Sequence, residues 1–242
     1  MKTDSPVYLL HALPLGRAVI RDFFNPSGQL FQELLNPPRT RQHGFGLRML
    51  GIPRHYGEYW ETSTDNDSKL GLRKLRVYSN GQIIFRAPGD ASFLCWPSDL
   101  NKRVANPVVI AESILSFCRF TKRVFDMMSE QPDEVALGVE IRNAGNSTFP
   151  IGMYRGRLRE KMELACISMD SLHFAGESDP RKTIRVPVVE LCQSSPDNEF
   201  TGADQKAYSI AICLYSMFAL DSSAFPYSSE HEGAQLVDIS KF

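Results

Sequence analysis

The sequence predicts an α+β fold: a mostly antiparallel sheet with two main helices packed on one face. Three stretches carry that prediction. Leu72 to Ala87 alternates apolar and polar residues on both sides of Asn80-Gly81, the favoured pair for a two-residue type I′ hairpin turn, in which both central residues take positive φ. Asn106-Pro107 opens the clearest helix, because asparagine caps the first free amides and proline at the first helical position gives up only a donor that has no partner there. Val135, Leu137, Val139 and Ile141 alternate with Ala136, Gly138, Glu140 and Arg142, the period of a half-buried strand.

Composition bounds the rest. The 242 residues suffice for a sizeable core, and 43% hydrophobic with 23% charged residues is ordinary for a folded protein. A formal net charge of −1 supplies no global field for nucleic acid or an acidic membrane, so affinity for either has to come from a local patch. The five cysteines, Cys95, Cys118, Cys166, Cys192 and Cys213, are far apart and form no CxxC pair, which argues against a disulfide framework or zinc site and for a reducing compartment. No secretory-signal pattern opens the chain and no apolar run reaches membrane-spanning length, so the expectation is a cytoplasmic protein with no membrane partner.

Taken in order, Val7 to Leu13 reads as the opening strand, closed by Pro14. Gln29 to Leu35, with Ser27 as the cap and Pro37-Pro38 as the stop, reads as one or two helical turns. Thr62 to Lys69 is a polar loop, and Ser92 to Trp96 is expected to pair beside the hairpin as its third strand. In the helix from Asn106, Ile110, Ile114, Phe117, Val124 and Met128 form the buried stripe, and Glu112, Ser116, Arg119, Arg123 and Asp126 the wet one. After Val135 to Ile141 a turn at Asn143 to Asn146 leads to Phe149–Tyr154 as a hairpin partner. In Ile184 to Cys192, Pro187 cannot donate to a ladder and pushes the strand to an edge. Thr201 and Asp204 form a capping box for a helix running to about Leu220 that is almost wholly buried or packed against a partner, and Asp221 to Phe242 reads as a tail that wraps the surface or stays loose. The chain is treated as one domain over residues 1–242, with a possible sub-boundary near 168–183.

Two basic clusters stand out. Arg39, Arg41, Arg48 and Arg54, with His43 and His55, fall in a Gly- and Pro-punctuated stretch without an acid. Arg155, Arg157, Arg159 and Lys161 alternate, so an extended backbone would place them on one face. Both are candidate phosphate-binding surfaces, weighed against ordinary solvated charge. Catalytic signatures are thinner. No Gly-x-Ser-x-Gly elbow, GxGxxG or P-loop is present, the histidines His11, His43, His55, His173 and His231 are scattered, and no cofactor is expected. Pro132-Asp133 followed by Glu140 and Arg142 is the one nuclease-like arrangement, with arginine where lysine is usual.

A family pattern runs over Tyr8 to Met153: Leu13-Pro14-Leu15 in the opening strand, Gly44-Phe45-Gly46-Leu47, the hairpin from Tyr78 through Asn80-Gly81 to Ile83, the long helix, and Val135 to Ile141 followed by Asn143-Ala144-Gly145. It resembles the region downstream of the divergent AlbA, Schlafen-related, ATP-binding-like domain of bacterial proteins, with Ile84 and Phe85 where that family has an acidic residue after the turn. The resemblance implies an accompanying domain without the part credited with nucleic-acid chemistry, working in bacterial defence or regulation. The expected function is therefore a non-catalytic binding or regulatory module acting with a protein partner or a second copy of itself. Nucleic-acid binding through the arginine clusters is the alternative, and a metal-dependent nuclease ranks third.

Overall fold

The structure, a computed structural model, describes residues 6–40, 46–47, 51–64, 72–90, 92–96, 104–143, 150–153, 163–166, 181–194, 201–225 and 227–238. In chain order its strands are β1 (Val7–Leu15), β2 (Val19–Ile20), β3 (Arg54–His55), β4 (Tyr59–Ser63), β5 (Lys74–Tyr78), β6 (Ile83–Pro88), β7 (Cys95–Trp96) and β8 (Val104–Ala105). They continue as β9 (Met128–Glu130), β10 (Glu134–Arg142), β11 (Pro150–Met153), β12 (Glu163–Cys166), β13 (Arg181–Pro187), β14 (Ser228–His231) and β15 (Ala234–Val237). The helices are α1 (Gln29–Leu35), α2 (Pro107–Asp126), α3 (Val188–Cys192) and α4 (Gly202–Met217).

Seven strands form one antiparallel sheet in the order β13-β10-β1-β6-β5-β4-β3, and α2 and α4 cover one of its faces, as the sequence predicts. β1 lies in the middle because its alternating residues Tyr8, Leu10 and Ala12, all without exposed surface, need apolar neighbours on both sides. They find them in Phe85 and Ile83 of β6 and in Ile141, Val139 and Leu137 of β10. β13 is an edge strand, as expected, but it ends at Pro187 instead of running on to Cys192: the chain turns there into the helix α3.

The two main helices start where the sequence places them. Asn106 caps α2 by accepting the Val108 amide at 2.9 Å. At the head of α4 the Asp204 carboxylate reaches back to the Thr201 amide at 2.6 Å and the Thr201 hydroxyl at 2.9 Å, closing the expected box. Its other oxygen takes the Arg119 guanidinium of α2 at 2.7 Å, so one buried carboxylate ties both helices together.

Where α2 differs from expectation is its wet stripe. Glu112 and Ser116 have no exposed surface, and only the C-terminal part, with Arg123 and Asp126, reaches solvent. The reason is a further layer: α1 and Gly46-Leu47 lie against α2, with Leu47 fully buried and Gly46 so close that a Cβ there would sit 2.3 Å from the Ser116 hydroxyl.

The hairpin exists, but its turn is not type I′. Gly81 has φ +79°, whereas Asn80 is not among the residues of positive φ. The Gly81 amide donates to the Tyr78 carbonyl and the Tyr78 amide to the Gln82 carbonyl, so three residues span the loop and Gly81 forms the bulge. A two-residue turn with both positive φ values occurs instead at Glu232-Gly233, between β14 and β15. At Gly81 a Cβ would also meet Met128 Cε at 2.8 Å and Ala18 Cβ at 3.0 Å. Gly81→Val is therefore expected to destabilise by about 1–2 kcal/mol, and an unchanged melting temperature would remove this account of the loop.

Other assignments shift for similar reasons. Gly28, not Ser27, occupies the N-cap of α1, because the Ser27 amide is held by the Asn25 side chain. Thr62 and Ser63 belong to β4 rather than a loop. Cys95-Trp96 pairs with β8 in a separate four-stranded sheet, and the place beside the hairpin goes to β1. β10 is buried along nearly its whole length rather than half-buried, and its partners are β1 and β13; Pro150–Met153 pairs elsewhere. The Asp221–Phe242 stretch is no wrapping tail: Phe225, Tyr227, Leu236 and Val237 are buried and the β14-β15 hairpin packs on α4. The possible sub-boundary near 168–183 falls largely outside the described residues.

Candidate nucleic-acid interface

Because side chains alternate along a strand, the residues opposite the helix-covered face can be laid out from the register. The central row reads Arg54, Glu61, Arg76, Ile84, His11, Gly138, Thr183 from β3 to β13. On one side of it lie Tyr59 and Tyr78, then Leu13, Ala136 and Arg185; on the other lie Lys74, Arg86, Leu9 and Glu140. Seven strands at their usual spacing make this face roughly 29 Å across. Its middle is low, since β10 contributes only Ala136 and Gly138 there, and a Cβ on Gly138 would strike the His11 ring at 2.3 Å.

The face is basic. Arg54, Lys74, Arg76, Arg86, Arg142 and Arg185 stand against Glu61, Glu134 and Glu140. Glu61 is shared by Arg76 at 2.6 Å and Lys74 at 3.2 Å, and Glu140 is held in a fork by Arg142 at 3.0 and 3.2 Å. Among the described residues Arg54, Arg86 and Arg185 are exposed and have no hydrogen-bond or ion-pair partner. In a chain with almost no net charge, this sheet surface carries a local excess of cations among the described residues.

Beside them runs a ladder of tyrosines. Tyr59 and Tyr78 are in register with ring centroids 5.2 Å apart, Tyr56 stacks on Tyr59 at 5.2 Å, and the Arg76 guanidinium lies 4.7 Å over the Tyr59 ring. Cross-strand aromatic pairs also serve as plain sheet stabilisers. What sets this ladder apart is that Arg76 lies over it and the unpaired Arg54 is on the neighbouring strand, so that flat faces for stacking and charge for phosphate lie side by side at this end of the sheet, with Arg86 further along β6 and Arg185 on the far edge strand. At the Lys74–Arg86 end the face opens into a cavity of about 650 Å3 lined by Val7, Leu72, Lys74, Arg86, Pro88 and Asp90, among others.

Of the residues singled out in sequence, the face contains Arg54. Arg39 is exposed, but it follows α1 on the helix-covered side, next to Pro38, whose carbonyl lies 3.8 Å from a Cβ built on Gly46. The first cluster is thus divided between the two sides of the sheet. Arg41 and Arg48, and the whole second cluster of Arg155, Arg157, Arg159 and Lys161, lie outside the described residues. The residues that clustering by sequence missed are Lys74, Arg76 and Arg86, together with Arg142 and Arg185 on β10 and β13. For those of the hairpin the signal was its alternation, which puts Lys74, Arg76 and Tyr78 on one face.

The nuclease-like arrangement does not assemble. Asp133 and Glu140 are seven residues apart along an extended backbone, roughly 23 Å, and Glu140 is nearly buried in its pairing with Arg142 instead of being an exposed strand residue. Among the described residues no three His, Cys, Asp or Glu side chains are grouped to hold a metal. Cys95, Cys118, Cys192 and Cys213 form no disulfide. Burial holds the Cys118 thiol far above the usual range, and burial together with the Asp126 carboxylate pushes Cys192 up to about 12, which leaves both as poor nucleophiles at neutral pH.

No family model matches the chain, and neither the curated proteins nor the solved structures contain a match. No described helix is long and apolar enough to cross a membrane.

Proposed function

We propose that this chain is a non-catalytic binding module whose working surface is the open face of the seven-stranded sheet, and that its ligand is single-stranded nucleic acid. The observation that supports this reading is the register itself, which puts the unpaired Arg54, Arg86 and Arg185 on the same face as a ladder of three tyrosines, with Arg54 beside the ladder and the other two spread across the sheet away from the helices. Stacking tolerates any base and arginines take phosphates, so the expected binding is weakly sequence-dependent and strongly salt-dependent. A cytoplasmic location and a role in bacterial defence or regulation belong to the same proposal. The four described cysteines, held as thiols outside any disulfide, support the first and the family resemblance the second.

The test is fluorescence anisotropy with single-stranded and duplex oligonucleotides. The single strand is expected to bind more tightly, with a log–log salt slope of about −0.7 per phosphate contacted. Tyr59→Ala should cost about 1–3 kcal/mol of affinity, and Arg54→Gln with Arg185→Gln should flatten the slope. No binding of either form at about 50 mM salt would end this reading. The protein-partner reading would then lead, supported by Ile52 and Phe24, which are 72% and 68% exposed beside the two-residue edge strand β3.

A further inference from the structure

We propose that the cavity at the Lys74–Arg86 end of the open face binds a phosphate monoester, gripped by these two cations, with Val7, Leu72 and Pro88 flanking the group that carries it. The starting observation is a local conflict. Lys74 and Arg86 are directly opposite one another on β5 and β6, where side chains come within about 5 Å at Cβ and like charges repel. Lys74 is partly compensated by Glu61, but Arg86 has no partner among the described residues, and its neighbour on the other side is the apolar Leu9. A pairing that costs stability, at the wall of a cavity, is the arrangement expected where an absent anion completes the charges.

The cavity's size and chemistry define the class of anion. Its volume of about 650 Å3 suits a ligand of nucleotide size and is far larger than an inorganic ion needs. Its apolar flank of Val7, Leu72 and Pro88 fits a sugar or base edge. The one acid in the wall, Asp90, has an oxygen committed to the Ser92 amide at 3.0 Å and to the Ser92 hydroxyl, and Glu61, which holds Lys74 from outside the wall, is shared with Arg76, so Arg86 is the cation left over. A terminal phosphate presents three unsubstituted oxygens, enough to reach Arg86 and Lys74 together, and carries its organic group on one side only, whereas an internal phosphodiester has two such oxygens and a strand leaving on both sides. Such a group can come from the end of a nucleic-acid strand or from a free nucleotide. For the strand end the inference rests on the nucleic-acid reading above; for the free nucleotide it does not.

The experiment uses the full chain and two pairs of probes at about 50 mM salt: adenosine 5′-monophosphate against adenosine by calorimetry, and a short oligonucleotide with a terminal phosphate against the same oligonucleotide with terminal hydroxyls by anisotropy. At least one pair is expected to show a gain of about tenfold or more from the phosphate, lost in Arg86→Gln and partly kept in Arg86→Lys. A gain in the oligonucleotide pair names the strand end as the source, and a gain confined to the adenosine pair names the free nucleotide. Arg86→Gln should melt no lower than the wild type, since it relieves the repulsion with Lys74. No phosphate-dependent gain in either pair, or a gain that survives in Arg86→Gln, overturns the proposal. An oligonucleotide that binds equally well with and without its terminal phosphate leaves the open face as a binding surface, and nucleotide binding without oligonucleotide binding does the reverse.

Discussion

Replacing Asp204 with asparagine is expected to lower the midpoint of thermal unfolding by on the order of 10 °C. The carboxylate has no exposed surface and accepts three hydrogen bonds, from the Thr201 amide, the Thr201 hydroxyl and the Arg119 guanidinium. Asparagine keeps the shape, but it removes the charge opposite Arg119 and turns an amide towards one of these donors. Breaking a buried pair from one side costs about 3–5 kcal/mol, because the remaining charge is left without compensation, and the helix loses its cap as well. In a chain of this size each kcal/mol moves the midpoint by about 2–4 °C. The pairing term can be isolated by combining Asp204→Asn with Arg119→Gln: the double variant should lose clearly less than the sum of the single losses. A midpoint within about 2 °C of the wild type would show that Asp204 does not join the two helices energetically.

Gly202→Ala is expected to be comparably damaging for a different reason. Gly202 is the first residue of α4, and its φ is not in the left-handed region, so alanine meets no conformational objection there. Space is the constraint. A Cβ at this position would lie 1.8 Å from the Glu190 carbonyl oxygen and 3.2 Å from that of Leu191, both backbone atoms of α3. Backbone cannot swing aside like a side chain, so α3 and α4 have to separate. The Gly202 amide would then lose the Gln193 carbonyl that it now meets at 2.9 Å. Overpacking of this kind costs about 1–3 kcal/mol and more where backbone must shift, so a urea midpoint lowered by at least about 2 kcal/mol equivalent is expected. An unchanged midpoint would mean that the two helices do not meet this closely.

The parts of the fold that were legible in sequence are those with local causes. Asn106-Pro107, the Thr201–Asp204 box and the edge position that Pro187 imposes announce themselves within a few residues, and each is found, although the strand stops at Pro187 and the expected continuation to Cys192 is helical. The alternation of Lys74, Arg76 and Tyr78 around Leu75 and Val77 already separates the open face from the buried one. What sequence could not supply was anything that depends on distant partners. Glu112 and Ser116 read as a wet stripe because the Gly46-Leu47 layer that covers them lies in a segment with no regular pattern. The hairpin's asparagine and glycine suit either of two turns, and packing of Gly81 against Met128 and Ala18 accompanies the three-residue form. For the candidate site, grouping arginines by sequence neighbourhood was the wrong measure. Arg39 and Arg54 come to opposite sides of the sheet, while Arg54, Arg76, Arg86 and Arg185, distant in sequence, share one face through the register.

The central position of β1 has a consequence for how the chain reaches this structure. β1 precedes every other described strand, yet its partners are β6 on one side and β10, more than a hundred residues later, on the other. During synthesis its run of Tyr8, Leu9, Leu10, Ala12 and Leu13 has to wait, first for the β5-β6 hairpin and then, past the whole of α2, for β10. Pairings of such long range close large loops before any contact rewards them, which slows folding. In the interval β1 on the finished hairpin presents an unpaired apolar edge, the kind of surface that recruits a chaperone or a second nascent chain.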